Sequence, residues 1–174
     1  MSAPPHASSE GAAALLQRLV DEREIERLIY SYGHVIDFGT PDDYAALFTE
    51  DAVIEIQSAL IRVLGLEIPF PKGTAEFLAG RGAKPTENGM AFRGRAAIRG
   101  FVTRPAPRTA RSLHVSSQPL VTITGPDSAE ARTYLRIYQH SPDETPQLTN
   151  FGRYLDTFRR TQTGWRISQR ICEL

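Results

Sequence analysis

The sequence predicts an α+β fold, with helices in its first part and antiparallel strands in its last third. Two observations predict this class. Apolar residues recur at helical spacing over residues 11–36, and segments with strand character, separated by turn signals, follow residue 111. The 174 residues include 20 basic and 20 acidic residues, which fits one soluble domain and argues against a nucleic-acid partner, because no basic excess is available for phosphates.

The first helix is predicted over residues 11–36, after a tail at residues 1–10 that we expect to be disordered. Its apolar face consists of Ile25, Leu28, Ile29, Tyr32 and Ile36. Gly39 and Pro41 end the helix, and "TPDDYAALF" then predicts a short second helix with Thr40 as its N-cap.

The middle of the chain is the least regular part. A strand is predicted at 52–56 and a short helix at 94–102. Between them, residues 57–91 contain apolar residues broken by Pro and Gly, and a structureless loop of this length is uncommon in a compact domain unless it is functional. We interpret 57–91 as an insertion in a single domain of residues 11–174, which could fold over a pocket as a lid.

The last third predicts an antiparallel sheet, with hairpin turns at "GPDS" and "TQTG". The predicted strands are 112–124, 129–140, 148–161 and 164–174. Because side chains alternate between the faces of a strand, Ser112, His114 and Ser116 should share one face. By the same rule, Trp165 should lie on the opposite face of its strand from Arg170.

Several classes of site and location are excluded or disfavoured. Cys172 is the only cysteine, so an intrachain disulfide is excluded and a thiolate metal site is disfavoured. The chain has no apolar run of membrane length and no signal peptide at its start, and we expect a cytoplasmic protein. P-loop, GxGxxG, HExxH and GxSxG signatures are absent. We expect no metal or other cofactor, although Asp37 with two histidines could still form a facial triad in space.

The remaining candidates are acid–base residues with structural alternatives. Tyr32 lies among Ile and Leu and could be a core residue. Asp37 could serve only as a helix-end or turn residue, and His34 lies opposite the apolar face, as a solvated residue would. His114 and Arg170 could simply be exposed on their strands.

Taken together, these segments resemble the SnoaL-like family of the nuclear-transport-factor-2-like superfamily. The stretch "DEREIERLIYSYGHVIDFGTPDDYAALFTEDAVIEI" resembles the family's opening, and "LHVSSQPLVTI" resembles its histidine-bearing strand. "FRGRAAIRGFV" and "GRYLDTFRRTQTGWRISQRI" resemble a central segment and the closing hairpin. The resemblance implies a cone-shaped, curved mixed sheet wrapped around N-terminal helices that encloses an apolar pocket.

The resemblance also implies site residues. In eliminating members such as scytalone dehydratase, hexachlorocyclohexane dehydrochlorinase and bile-acid 7α-dehydratase, an aspartate after the first helix pairs with a histidine on the sheet. The matching positions are Asp37 and His114, with Tyr32 and Arg170 at two further catalytic positions. The residues expected to contact the substrate are Tyr30, His34, Ser116 and Phe70.

The implied activity is a cofactor-independent, dehydratase-type lyase acting on a small apolar substrate, such as a steroid, terpenoid, aromatic compound or polyketide. The alternatives are a ketosteroid-type isomerase, an epoxide hydrolase, a non-catalytic subunit and a small-molecule binding protein. We also expect a homodimer, formed through an outer sheet face carrying Leu113, Val115, Val121 and Ile123. Neither nucleic acid nor membrane is an expected partner.

One geometric requirement follows. At about 100° per residue, Tyr32 and Asp37 point about 140° apart on an ideal helix. We therefore expect the helix to end or bend before Asp37, so that both side chains can line one pocket.

Overall fold

The computed structural model describes residues 9–57, 73–103, 111–141 and 144–174. Its helices are α1 (Ser9–Phe38), α2 (Pro41–Ala45), α3 (Thr74–Ala79) and α4 (Arg95–Val102). Its strands are β1 (Phe48–Gln57), β2 (Lys84–Pro85), β3 (Gly89–Arg93), β4 (Arg111–Gly125), β5 (Ser128–His140), β6 (Gln147–Thr161) and β7 (Gly164–Glu173). The predicted α+β class is confirmed, since helices dominate the first part and hairpins the last.

Within the described residues, the strands form a seven-stranded sheet in the order β2-β3-β1-β7-β6-β5-β4. Strands β1 and β7 are parallel, and every other neighbouring pair is antiparallel. The sheet is therefore mixed, as predicted, and it is curved but unclosed. The face that packs against α1 is called the inner face below, and its core includes Ile25, Ile29 and Tyr32 of α1.

Helix α1 is longer than predicted at both ends. It begins at Ser9, inside the predicted tail, whose residues 1–8 lie outside the described part of the chain. It also continues through Asp37 to Phe38, so the expected end before Asp37 was wrong. The amide of Gly39 still donates to the carbonyl of Val35 (2.8 Å), which closes one more helical turn before the chain leaves the helix.

Helix α2 follows directly and is capped as the sequence predicts. The Thr40 hydroxyl accepts from the amide of Asp43 (3.1 Å), and the carboxylate of Asp43 accepts from the amide of Thr40 (3.0 Å). Asp42 also binds Arg99 of α4. These contacts fix the short helix that places Tyr44 in the core.

The region predicted as an insertion is partly built into the sheet. Gln57 ends β1, and β3 pairs with β1 from Val53↔Arg93 to Gln57↔Gly89. Residues 58–72 lie outside the described part of the chain. The irregular segment is thus shorter than 57–91, because α3, β2 and β3 give its second half regular hydrogen bonding, and the role of a lid stays a prediction.

Two of the sheet's bulges overturn predictions of which side chains face inward. In β7, Thr157↔Gln169 is followed by Phe158↔Ile167, which leaves Ser168 as an extra residue. Trp165 and Arg170 are consequently both buried on the inner face, and the prediction that they lie on opposite faces was wrong.

A second bulge lies in β4, between Ser117↔Tyr134 and Leu120↔Arg132, where Gln118 adopts a positive φ of 52°. Leu113 and Val115 are exposed, as predicted, but Val121 and Ile123 beyond the bulge pack against the core. The prediction that these four residues form one outer surface was therefore wrong.

No helix in the described part of the chain is both long enough and apolar enough to span a membrane.

Candidate functional site

The C-terminal half of α1 approaches β4 closely at Gly33. A side-chain carbon at this position would overlap the carbonyl oxygen of His114, so only glycine permits the contact. Asp37 follows one helical turn later and therefore points toward the same strand. The sequence "GHVID" thus brings a carboxylate to a strand that carries an imidazole.

Asp37 and His114 lie within hydrogen-bond reach, as predicted, and they make two contacts. Asp37 Oδ1 lies 2.6 Å from His114 Nδ1, and Asp37 Oδ2 accepts a hydrogen bond from the His114 amide at 2.7 Å. The side chains are 3% and 14% exposed, respectively. The backbone contact fixes the carboxylate on the strand, and the second oxygen then sets the orientation of the ring.

This contact determines the tautomer of the neutral ring. An ionised carboxylate only accepts hydrogen bonds, so Nδ1 carries the proton. Nε2, which has no hydrogen-bond partner among the described residues, is then left with a lone pair. The arrangement can accept a proton at Nε2 and stabilise the imidazolium that results.

His114 lines two cavities, which lie inside and outside the fold. The inner cavity, of about 80 Å³, is mostly apolar. The residues that line it are Tyr32, Ile36, Ile54, Ile56, Phe101, His114, Leu135, Ile137, Tyr154, Cys172 and Leu174. The outer groove, of about 260 Å³, runs between α1 and β4. It is lined by Tyr30, Gly33, His34, Asp37, Phe38, Leu113, His114, Val115 and Ser116.

The inner cavity and the outer groove therefore meet at His114. Tyr32 and Asp37 can each line one of them without the bend in α1 that the sequence led us to expect. Tyr32 lines the inner cavity and Asp37 lines the outer groove, and α1 stays helical between them. His114 connects the two sides, because its ring contacts Asp37 and the residue also lines the inner cavity.

Tyr32 is buried beside a second tyrosine. Its hydroxyl lies 3.0 Å from the hydroxyl of Tyr44, and the two rings pack with their centroids 5.4 Å apart. Burial raises the pKa of Tyr32 to about 12. At neutral pH the phenol is therefore a neutral hydrogen-bond donor.

Arg170 is fully buried and does not line the inner cavity or the outer groove as described. Its Nε and Nη2 donate to the two carboxylate oxygens of Asp156, each at 2.7 Å. Burial lowers the pKa of Arg170, but the Asp156 carboxylate outweighs that effect, and the pKa lies well above its ordinary value. The guanidinium also lies over the rings of Tyr32 (3.9 Å) and Tyr154 (4.0 Å), so Arg170 reaches the cavity only through these rings.

Of the four residues predicted to contact substrate, three line the outer groove and one lies outside the described part of the chain. Tyr30, His34 and Ser116 line the outer groove and not the inner cavity. The Ser116 hydroxyl is shielded from solvent and has no hydrogen-bond partner among the described residues. Phe70 lies outside the described part of the chain. Contact with a substrate stays a prediction for all four.

Sequence reasoning missed one residue that lines the inner cavity, Tyr154, and two that lie behind its wall, Tyr44 and Asp156. Tyr44, Tyr154 and Asp156 were not predicted, although Tyr44 holds Tyr32 and Asp156 holds Arg170. Cys172 also lines the inner cavity, and burial raises the pKa of its thiol to about 12, so it is not a thiolate at neutral pH. Within the described ranges, no group of three His, Cys, Asp or Glu residues could hold a metal ion.

The fold has relatives among solved structures. An NTF2-like protein with a cystatin-like fold from Novosphingobium aromaticivorans is 22% identical (TM-score 0.67), and the match covers 96% of this chain and 90% of that one. A protein proposed to be a scytalone dehydratase from the same organism is 19% identical (TM-score 0.61), covering 88% of this chain and 83% of that one. These likenesses show the fold.

A third relative is described as an enzyme subunit. The beta subunit of a proposed aromatic-ring-hydroxylating dioxygenase, also from Novosphingobium aromaticivorans, is 16% identical (TM-score 0.67), and the match covers 91% of this chain and 90% of that one. No curated protein matches the sequence. The SnoaL-like domain family matches residues 17–171, and the chain belongs to that family, within the NTF2-like superfamily.

Proposed function

We propose that this SnoaL-like chain is a cofactor-independent lyase that removes water from a small apolar hydroxy-carbonyl compound. The observation that carries the proposal is the Asp37–His114 pair, in which the carboxylate engages Nδ1 and the backbone amide. The same imidazole lines an apolar inner cavity that Tyr32 also lines. A base and a hydrogen-bond donor therefore border one space.

In this mechanism, His114 Nε2 takes a proton from the carbon next to the carbonyl group of the substrate. The electron pair of that C–H bond forms an enolate, whose oxygen accepts a hydrogen bond from Tyr32. The enolate then re-forms the carbonyl and a new C=C bond while the β-hydroxyl group leaves. The imidazolium returns its proton to that hydroxyl, which departs as water, and Asp37 stabilises the imidazolium between the two steps.

The size of the inner cavity limits what can bind there. A volume of about 80 Å³ corresponds to a few water molecules, since each occupies roughly 30 Å³ in the liquid. The inner cavity can therefore hold only the reacting end of a substrate of the steroid, terpenoid, aromatic or polyketide type. The lid predicted for residues 57–91 would exclude water from that end.

An isomerase or epoxide hydrolase could also use a positioned proton acceptor. A ketosteroid-type isomerase, however, uses a carboxylate as the base on the sheet, and this sheet carries His114. The imidazole favours elimination, because the imidazolium formed by the first proton transfer can protonate the leaving hydroxyl group.

A second candidate function is a non-catalytic subunit. The likeness to the beta subunit of a proposed dioxygenase favours it, and so does the exposed outer sheet face. That function predicts a permanent partner chain and no turnover by the purified chain. A plain small-molecule binding protein would instead bind ligands without turnover or a partner.

We further propose that copies of the chain form a homodimer in the cytoplasm. Leu120 and Phe151 are 71% and 75% exposed on the outer sheet face, and Leu113, Val115 and Tyr134 are also exposed there. Light scattering should give twice the chain mass of 19.3 kDa, and Phe151→Asp should shift the protein toward the monomer. A wild-type mass of one chain at high concentration would contradict the dimer.

The test of the proposed lyase is a screen of β-hydroxy-ketones for loss of water, with His114→Ala as the main variant. We expect the wild type to turn over at least one compound and His114→Ala to lose about 10²–10⁴-fold in rate, as is typical of a positioned acid or base. His140→Ala is the matched control, because His140 lies on β5 in an exposed position. A fully active His114→Ala variant would contradict the assignment.

A further inference from the structure

The Tyr32–Tyr44 pair contains more hydrogen-bond donors than it can use internally. Each phenol hydroxyl has one proton to donate, and the two hydroxyl oxygens lie 3.0 Å apart. One hydroxyl therefore donates to the other, and the second proton needs a different acceptor. The direction of the bond decides which tyrosine offers that second proton.

The surroundings of the two hydroxyls determine the direction. Tyr44 is fully buried and does not line the inner cavity, and the hydroxyl of Tyr32 is the only hydrogen-bond partner of its hydroxyl in the described part of the chain. If Tyr32 were the donor, the Tyr44 proton would be buried without an acceptor, which is costly. Tyr32 does line the inner cavity, so its proton can reach a group bound there. Tyr44 is therefore the donor and Tyr32 the acceptor within the pair.

We propose that Tyr44 is a positioning residue, which donates to Tyr32 and thereby fixes Tyr32 as the donor to an oxygen acceptor in the inner cavity. The accepted hydrogen bond polarises the Tyr32 hydroxyl and strengthens the bond that it donates. This inference rests on the proposed function, because it specifies how the site holds the oxygen of its ligand.

The positive charge of Arg170 beside Tyr32 favours a ligand whose oxygen becomes negatively charged. The Arg170 guanidinium lies 3.9 Å from the centroid of the Tyr32 ring, and Asp156 occupies its Nε and Nη2. Its Nη1 is buried and has no hydrogen-bond partner among the described residues. The cation is thus neutralised on one side only, and its other side adds positive potential near the donor.

The two ends of the inner cavity define the class of ligand. His114 offers a proton acceptor, and Tyr32 offers a polarised donor. Apolar side chains lie between them, including Ile54, Leu135 and Ile137. This combination fits a compact, apolar carbonyl compound that becomes an enolate, in which a carbon gives up a proton and the oxygen gains charge.

The experiment is a double-mutant cycle on the binding of fluorinated phenols, whose phenolate oxygens stand in for an enolate. Calorimetry would compare the wild type, Tyr32→Phe, Tyr44→Phe and the double variant. We expect Tyr44→Phe to weaken binding about 2- to 10-fold, the usual range for one hydrogen bond, and Tyr32→Phe to weaken it more. The double variant should bind no worse than Tyr32→Phe, since Tyr44 acts through the hydroxyl that Tyr32→Phe removes. Tyr134→Phe, on the exposed outer face, is the control for loss of a phenol hydroxyl.

Three outcomes would overturn the proposal. The first is that Tyr44→Phe binds phenols as tightly as the wild type. The second is that the losses of binding free energy add in the double variant, as independent packing effects would. The third is that the wild type binds no phenol. The cycle needs no turnover, so it can succeed in a chain that eliminates nothing. In that case the proposed lyase activity would fail and the donor arrangement would stand.

Discussion

Helix α1 carries two buried carboxylates whose partners differ. Asp21 Oδ1 accepts from Gln17 Nε2 (3.0 Å) and Trp165 Nε1 (3.3 Å), and its Oδ2 accepts from Arg160 Nη2 (2.6 Å). These donors keep their protons across the physiological pH range. Asp21 therefore has an unchanging structural role, which is to join α1 to β6 and β7.

Asp37 is as well buried, but one of its two partners is an imidazole. The His114 amide is permanent, whereas the imidazole can gain a proton at the nitrogen that Asp37 does not contact. Burial and hydrogen bonding alone therefore do not distinguish a structural carboxylate from one that belongs to a site. What distinguishes them is whether a partner of the carboxylate can change its protonation state and also reaches a cavity.

Their places on α1 agree with these roles. Residues 11–20 are exposed on all sides, and Asp21 is the first buried residue after them, so it lies where α1 joins the body of the protein. Asp37 lies in the last turn, beyond the close contact at Gly33. One carboxylate secures the beginning of the packed helix, and the other lies at the end that borders the outer groove.

The largest effect should come from Asp37→Asn, which keeps the side-chain shape and removes the charge. The amide can stabilise the wrong tautomer of His114, so the rate on a turned-over substrate should fall by nearly the ~10²–10⁴-fold expected for loss of the base. The free energy of unfolding should change little. Activity assays and denaturant titrations check the two parts.

Because Asp37 and His114 act together, their losses should not add. The double variant Asp37→Asn/His114→Ala should be about as inactive as either single variant. Losses that multiply in the double variant would show that the two residues act independently.

Asp21→Ala should show the reverse pattern, with stability lost and activity kept. Removing hydrogen bonds to a buried charged group should lower the free energy of unfolding by about 1.5–3 kcal/mol. Denaturant titration measures this loss, and the rate per folded molecule should stay near that of the wild type. A larger loss of activity than of stability would show that Asp21 belongs to the site.

The contribution of Asp21 to stability should depend on pH. Burial raises the pKa of Asp21, but hydrogen bonds from Arg160, Gln17 and Trp165 outweigh that effect and hold the pKa below its ordinary value. A carboxyl group whose pKa is lowered by folding stabilises the protein above its unfolded pKa of about 3.9 and loses that contribution as the pH falls through its folded pKa. The stability difference between wild type and Asp21→Ala should therefore be full at pH 7 and shrink in acid. A difference that grows as the pH falls would contradict the assigned role.

The smallest effect should come from His34→Ala. His34 is exposed, lines the outer groove, and makes no hydrogen bond to a described residue. Its removal should leave the rate and the pH profile of a turned-over substrate nearly unchanged. A loss as large as that of His114→Ala would mean that the base lies on α1 and not on the sheet.

Much of the fold followed from local patterns. The capping box at Thr40, the turns "GPDS" and "TQTG" and the helical spacing of apolar residues are contained in short segments, so a single sequence displays them. The predicted strands and helices in the described regions are present, with ends moved by a few residues.

What the sequence did not show depends on strand pairing. A bulge inserts one residue and reverses the alternation of inward and outward side chains beyond it. The local sequence does not indicate a bulge at Gln118 or at Ser168. The faces of Val121, Ile123 and Trp165 were therefore predicted wrongly. In a regular hairpin that starts from Thr161↔Gly164, Asp156 would pair with Gln169. The bulge at Ser168 moves its partner to Arg170, so the Asp156–Arg170 contact could not be predicted either.

The candidate site was predictable where family motifs specify it. The positions of Asp37 and His114 came from the resemblance, and their contact is present. The supporting residues Tyr44, Tyr154 and Asp156 come from other elements, and only the folded chain brings them to Tyr32 and Arg170. Local sequence offered no signal for those contacts.

The tautomer of the neutral His114 ring can be measured directly by ¹⁵N NMR of its two ring nitrogens. We expect a proton on Nδ1, in the hydrogen bond to Asp37, and a lone pair on Nε2. In Asp37→Asn that preference should weaken or reverse. A wild-type ring with its proton on Nε2 would rule out His114 Nε2 as the base, because that nitrogen would have no lone pair with which to accept a proton.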